Sequence, residues 1–312
     1  MLKKALLVVG TLSLSGCQSI VLSPIGDIAL QQRDIILTAT WLMLLVVVPV
    51  ILLTLFFAWR YRASNRTARY EPEWSHSTLL ELLIWSVPLV IIIALGALTW
   101  VMTHRLDPYR PLDRVSEGRP VPPAQKPLVI QAIALDWKWL FVYPELGIAV
   151  VNEVAAPVDR PIEFRITSTT VMNSLSIPAL AGQIYAMPHM QTTLHAIANA
   201  PGSYEGFSGN YSGAGFSQMR FRFLGLNHAG FDRWVAQAKA TSAALDRPTY
   251  LSLAQPSIGA PVQRFGAVMP NLFDAVLMPR EAAGALCVET PSGQQPAPKP
   301  GAATASRVAT RG

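Results

Sequence analysis

Two long apolar runs dominate the pattern of hydrophobic and polar positions. Ile35–Trp59 and Leu82–Thr103 contain no charged residue, and each exceeds the roughly 20 residues that cross a bilayer as a helix. Pro49 and Pro88 lie inside the runs, where neighbouring helices can compensate for the lost hydrogen bond. Trp41, Trp59, Tyr61, Trp85 and Trp100 sit nearer the ends than the middles, as interfacial anchors do. The pattern predicts two transmembrane helices, 35–59 and 81–103, joined by a loop over 60–80.

Downstream the period changes. Residues 104–127 are rich in Pro and Arg and read as a linker. Short apolar or alternating runs follow: Leu128–Val142, Ile148–Val154, Ile162–Ser168, Gln183–Met187, Thr192–Ala198 and Ser217–Leu224, punctuated by Pro and Gly. Such spacing predicts a β-sandwich or small barrel over 128–226. His228–Leu245 carries a helical pattern, and Tyr250–Ala254 and Asn271–Met278 read as short helices, so 227–283 is expected to be a helical extension. Residues 284–312 are Ala/Pro/Gly/Ser/Thr-rich and are expected to be disordered. The fold class is an α+β membrane protein, a helix hairpin carrying a β domain.

The N-terminus sets the orientation. Lys3 and Lys4, the apolar run Ala5–Leu12 and Leu14-Ser15-Gly16-Cys17 have the regions of a secretory signal. The last four residues resemble a bacterial lipobox, which implies a signal peptide over 1–16, a lipid on Cys17 and a periplasmic segment over 17–34. Arg60, Arg62, Arg66 and Arg69 between the spans are nearly matched by Arg105, Arg110, Arg114 and Arg119 after them. Positive charge alone therefore leaves the topology a tie. The lipobox breaks it, placing the N-terminus and everything after His104 in the periplasm of a bacterial inner membrane.

Composition narrows the class. Of 312 residues 51% are hydrophobic and 14% charged, with a formal net charge of +6, and the mean hydropathy is +0.33. The basic residues are scattered beside apolar segments without a Lys/Arg block, which argues against nucleic acid. Cys17 and Cys287, the two cysteines, make no disulfide framework.

The stretch Pro201–Met219 has the shape of a metal loop without its ligands. It resembles the binuclear copper loop of subunit II of haem-copper cytochrome c oxidases, Cys-x3-Cys-x3-His-x2-Met with a further His upstream. Here those positions read Ser208, Ser212, Phe216 and Met219, with Asn173 upstream and Asn210 at the carbonyl donor. A copper pair requires thiolates and imidazoles; of the side-chain ligands Met219 alone is retained. The loop taken by itself reads equally as a Gly/Ser/Tyr-rich surface loop.

The order of parts, with Trp74-Ser-His-Ser77, Glu81, Trp85-Ser-Val-Pro88, Asp136-Trp-Lys-Trp139, Val171-Met-Asn-Ser174, Gln183-Ile-Tyr-Ala-Met187 and Tyr211-Ser-Gly-Ala-Gly-Phe216, resembles subunit II of the cytochrome bo-type ubiquinol oxidases. The resemblance covers the chain to about residue 280. It implies a cupredoxin-like sandwich without copper, in a complex that takes electrons from ubiquinol, reduces dioxygen and moves protons. It implies haems and copper in subunit I, no cofactor in this chain, subunits I, III and IV and membrane lipid as partners, and no cytochrome c. It also places Glu81 at the entrance of a proton pathway; by position alone, Glu81 is an acid favoured by a helix N-terminus.

Other chemistry-bearing residues read as structural. Trp137 and Trp139 are expected in the core or against subunit I, and Asp136 and Lys138 as interface or solvent charges. His189 and His195 are expected to be hydrogen-bonded or surface groups, since no Cys lies between residues 18 and 286. His76 and His104 flank the second span, and His228 is placed to cap a helix. Two rival readings are a copper-bearing cytochrome c oxidase subunit II and a free-standing periplasmic lipoprotein that binds or senses a ligand.

Overall fold

A computed structural model describes residues 19–69 and 71–278. Cys17, Cys287, the signal segment and the tail lie outside the described residues. The chain opens with helices α1 (Asp27–Arg60) and α2 (Thr78–Arg105). Both are long and apolar enough to cross a membrane. The Thr40 and Thr54 hydroxyls donate back to the carbonyls of Ile36 and Val50 at 2.7 Å, so these polar side chains are satisfied within the helix. Outward-facing residues such as Leu55 and Trp85 are 63% and 76% exposed. Apolar surface on this scale calls for lipid or a partner protein.

The β domain follows as β1 (Arg114–Ser116), β2 (Arg119–Pro120), β3 (Leu128–Leu135), β4 (Lys138–Tyr143), β5 (Ile148–Val151), β6 (Glu153–Pro157), β7 (Ile162–Ser168), β8 (Asn173–Ser176), β9 (Ile184–Ala186), β10 (Thr192–Ala196), β11 (Gly202–Ser208) and β12 (Arg220–Leu226). The C-terminal part contributes α3 (His228–Lys239), β13 (Ala244–Leu245), α4 (Arg247–Leu253), β14 (Gln263–Phe265), β15 (Ala267–Val268) and α5 (Leu272–Leu277). One sheet runs β10-β7-β3-β4-β5-β14 and the other β6-β12-β11-β8-β9. Pairing is antiparallel except for β3 with β7, β12 with β6 and, in a separate two-stranded sheet, β13 with β15.

Two expectations need correction. The run Leu128–Val142 is two strands, because the chain reverses at Asp136-Trp137, with Trp137 left-handed at φ 65°. The extension after residue 227 is helical only in part, since β14 adds an edge strand beside β5. β3 explains why the run looks continuous. Ile130, Ala132 and Ala134 face the inter-sheet core with Trp139, Phe141 and Phe223, while Ile133 and Leu135 face a second cluster with Tyr250, Phe265, Leu272 and Phe273. A strand buried on both faces loses its polar alternation.

The hairpin is fastened to the sandwich at Gly26. The amides of Ile25 and Gly26 donate to the Ala179 carbonyl at 2.8 and 3.1 Å, and the Asn199 amide donates to the Ile25 carbonyl at 2.9 Å. A β-carbon on Gly26 would lie 2.1 Å from the Leu180 carbonyl oxygen, so no larger residue fits without movement. Next to it the buried Asp27 carboxylate accepts from Arg114 Nε and Gln31 Nε2, both at 2.8 Å.

The C-terminal part is clasped to the sandwich by Glu153, which is 9% exposed. Its Oε1 accepts from Trp234 Nε1 at 2.9 Å and from Arg264 Nη2 at 2.5 Å. Tyr143 hydrogen-bonds both backbone groups of Ala155 at 2.8 Å, and burial pushes its phenol upward.

Candidate functional site

The loop from β11 to β12 brings together the positions matching the copper ligands. Ser208 ends β11 and is buried. Its hydroxyl donates to Asn173 Oδ1 at 3.2 Å and accepts from the Ser174 amide at 3.4 Å. Asn173 Nδ2 donates to the Val171 carbonyl at 3.1 Å and to Ser168 Oγ at 3.3 Å. Ser174 Oγ accepts from Gln183 Nε2 at 2.7 Å and from the Gly209 amide at 3.1 Å. Neutral hydrogen bonds thus occupy the interior where a metal centre would need thiolate and imidazole.

The rim is held in the same manner. Trp137 Nε1 donates to the Ser212 carbonyl at 3.0 Å, and its ring lies over Gly213 and Gly215, where added β-carbons would meet it at 3.1 and 2.5 Å. Asn210 Nδ2 donates to the Met172 carbonyl at 3.0 Å. Phe216 packs edge-on to Tyr211, with ring centroids 5.7 Å apart. Met219 is buried in the sandwich core. The Ser and Asn oxygens are hard, neutral donors, and Phe216 supplies none, so this set does not fit a mixed-valence copper pair. Among the described residues no group of three or more His, Cys, Asp or Glu side chains could hold a metal ion.

A second constellation lies at the start of α2. Glu81 sits in the helix's first turn, and its Oε1 meets His76 Nδ1 at 2.7 Å. The other ring nitrogen of His76 meets the Thr78 hydroxyl at 3.2 Å. Both side chains are at least half exposed, at 66% for His76 and 50% for Glu81. The sequence presents these residues separately; their five-residue spacing across the helix start is the signal that pairs them.

The remaining residues divide between agreement and correction. Trp139 is fully buried and packs against Phe141 and Phe221, and Trp137 covers the loop. Lys138 is not a solvent charge: it is 1% exposed and its ammonium donates to the Gln255 carbonyl at 2.7 Å. Burial pulls its pKa down against the opposing charge of Asp136. His228 does not cap α3; that role falls to Asn227, whose Oδ1 accepts from the Gly230 amide at 2.7 Å. His104 Nδ1 meets the Trp100 carbonyl at 2.8 Å and His189 Nδ1 the Met278 carbonyl at 3.1 Å. His195 is half-buried, and burial lowers its pKa despite Glu163.

The chain is similar in sequence to known proteins. Residues 146–223 match the family described as cytochrome c oxidase subunit II, periplasmic domain, and residues 239–279 match the COX aromatic rich motif. Cytochrome bo(3) ubiquinol oxidase subunit 2 of Pseudomonas aeruginosa is 52% identical over 88% of this chain and 80% of its own length. Ubiquinol oxidase subunit 2 of Acetobacter aceti is 48% identical over 85% and 84%. Quinol oxidase subunit 2 of Bacillus cereus is 35% identical over 79% and 83%. The crystal structure of the periplasmic domain of cytochrome oxidase subunit II from Bradyrhizobium japonicum aligns over 38% of this chain and 96% of its own, with 24% identity and a TM-score of 0.36. By these matches over most of its length, the chain belongs to the family of ubiquinol oxidase subunit 2, and its residues 146–223 match the periplasmic domain of cytochrome c oxidase subunit II.

Proposed function

We propose that the chain is a subunit of a terminal quinol oxidase that carries no electrons itself, shapes the complex and supplies a proton-uptake group. The observation that carries the reading is the Asn173–Ser208 hydrogen-bonded pair, which fills a copper-type loop with groups unable to bridge copper. Electrons from a quinol oxidised within the membrane have no need of a periplasmic relay. The haems and copper that reduce dioxygen belong, on this reading, to subunit I.

The exposed apolar faces of α1 and α2 offer a seat for subunit I, and the sandwich caps its periplasmic side; subunits III and IV complete the complex. Glu81, paired with His76 at 2.7 Å, stands at the cytoplasmic mouth as the proton-collecting carboxylate. Its exposure supports this role, because a collecting group must exchange with water. A lipid on Cys17 adds a second anchor.

One purification tests the reading. The chain extracted from membranes is expected to bring haem and ubiquinol oxidase activity with it, and no copper assigned to Asn173, Ser208, Asn210, Ser212, Phe216 or Met219. Stoichiometric copper in this loop would restore the cytochrome c oxidase reading. A stable, haem-free monomer would favour the free-standing lipoprotein.

A further inference from the structure

A polar chamber of about 450 Å³ lies where the hairpin meets the sandwich, walled by the first turns of α1, the end of α2 and the strand carrying His195. This volume is within the range of about 300–1,000 Å³ typical of small-molecule sites. Its acids are largely matched. Asp27 pairs with Arg114 and Asp113 with Arg110, each at 2.8 Å. Arg105, the last residue of α2, also lines the chamber and has no hydrogen-bond or ion-pair partner among the described residues.

A second recess, of about 390 Å³ and almost wholly apolar, adjoins the chamber and shares Gln32, Gly182 and Gln183 with it. It runs along α1 to Ile35 and Ile36, where the uncharged run begins. The Gln32 amide sits at the seam, 2.8 Å from where a β-carbon on Gly182 would be, and it too has no hydrogen-bond partner among the described residues. From the chamber toward the uncharged run of α1 the order is therefore a free guanidinium, a free amide and an apolar trough.

That order matches one class of molecule. We propose that this double recess binds a membrane glycerophospholipid, with its phosphate on Arg105, an ester carbonyl on the Gln32 amide and an acyl chain along Ala29, Ile35 and Ile36. A guanidinium is suited to a phosphate because its fork donates two parallel hydrogen bonds. The inference rests on α1 and α2 spanning a membrane and is independent of the quinol reading.

The test uses the intact complex purified with the wild-type chain, with Arg105→Gln, or with Gln32→Leu, which keeps the side-chain bulk against Gly182. Native mass spectrometry counts retained phospholipid, and dihexanoylphosphatidylglycerol is titrated into delipidated complex with and without inorganic phosphate. The wild type is expected to keep one phospholipid more than Arg105→Gln. Arg105→Gln should bind the probe about tenfold to a hundredfold more weakly, the loss of a charged hydrogen bond, and Gln32→Leu should be weakened less. Displacement of the probe by inorganic phosphate would make this a free-anion site and overturn the proposal. Equal lipid retention by all three complexes would overturn it as well, since a partner subunit would then fill the recess; Gln32→Leu keeps the test decisive if Arg105→Gln fails to assemble.

Discussion

Replacing Glu81 with Gln separates the two roles open to it. As a structural group, its pair with His76 joins side chains 66% and 50% exposed, and exposed pairs contribute about 0–1 kcal/mol. An acid in the first turn of a helix adds about 0.3–1 kcal/mol through the macrodipole. The two together come to at most about 2 kcal/mol, small against a hairpin held by its apolar faces, so Glu81→Gln should assemble with a full haem complement. As a proton-collecting group, its loss slows the step that supplies protons for dioxygen reduction. Turnover per haem is expected to fall about tenfold, equivalent to about 1.4 kcal/mol on the barrier. Glu81→Asp should recover part of the rate, and His76→Ala should lower it less than Glu81→Gln does. The assay is oxygen consumption with a soluble ubiquinol, normalised to haem. Undiminished turnover, or a loss that merely tracks lost haem, would refute the role.

Three further outcomes follow from the packing. Gly26→Ala places a β-carbon 2.1 Å from the Leu180 carbonyl oxygen and should weaken docking of the hairpin by about 1–3 kcal/mol, seen as faster hydrogen exchange at Gly26 and Asn199 with the sheets unchanged. Glu153→Leu leaves Trp234 Nε1 and Arg264 without their acceptor and should destabilise the C-terminal part by about 2–4 kcal/mol; limited proteolysis between residues 227 and 278 reads this, and an unchanged cleavage rate would contradict the clasp. Lys138 has a folded pKa below its ordinary 10.5 because burial disfavours the charge. The unfolded chain then binds more protons, so stability rises with pH between the folded value and 10.5. Lys138→Met should therefore be most stabilising, relative to the native chain, below that window and lose its advantage through it; a difference independent of pH would refute the assignment.

The legible features were those written in local pattern. Uncharged runs announce the hairpin, turn residues space the strands, and Ser208, Ser212 and Phe216 stand where the resemblance to a copper loop puts that loop's ligands. Features depending on distant chain were hidden. The turn at Trp137 carries neither Gly nor Pro, so β3 and β4 read as one run. Lys138 can be buried because the carbonyl of Gln255, far along the sequence, accepts a hydrogen bond from its ammonium. Glu153 gave no sign of its clasp, since Trp234 and Arg264 reach it from two later elements. His76 and Glu81 were each legible, yet their pairing depends on how the chain enters α2.

The fastening at Gly26 also orders events during synthesis. Residues 25 and 26 emerge before either membrane helix, while their partners Ala179, Ala198 and Asn199 emerge only after both. With α1 and α2 both spanning a bilayer, as proposed, the hydrogen bonds can close only when both stretches reach the same side, which requires the second helix to have inserted and brought the sandwich across. A chain whose second helix failed to insert would leave its sandwich on the opposite side of the bilayer from Gly26 and the backbone there unpaired. The junction therefore acts as a record of correct topology: protease added on the side that carries residue 26 should cut near it in nascent chains and lose that access once the sandwich has folded beside it.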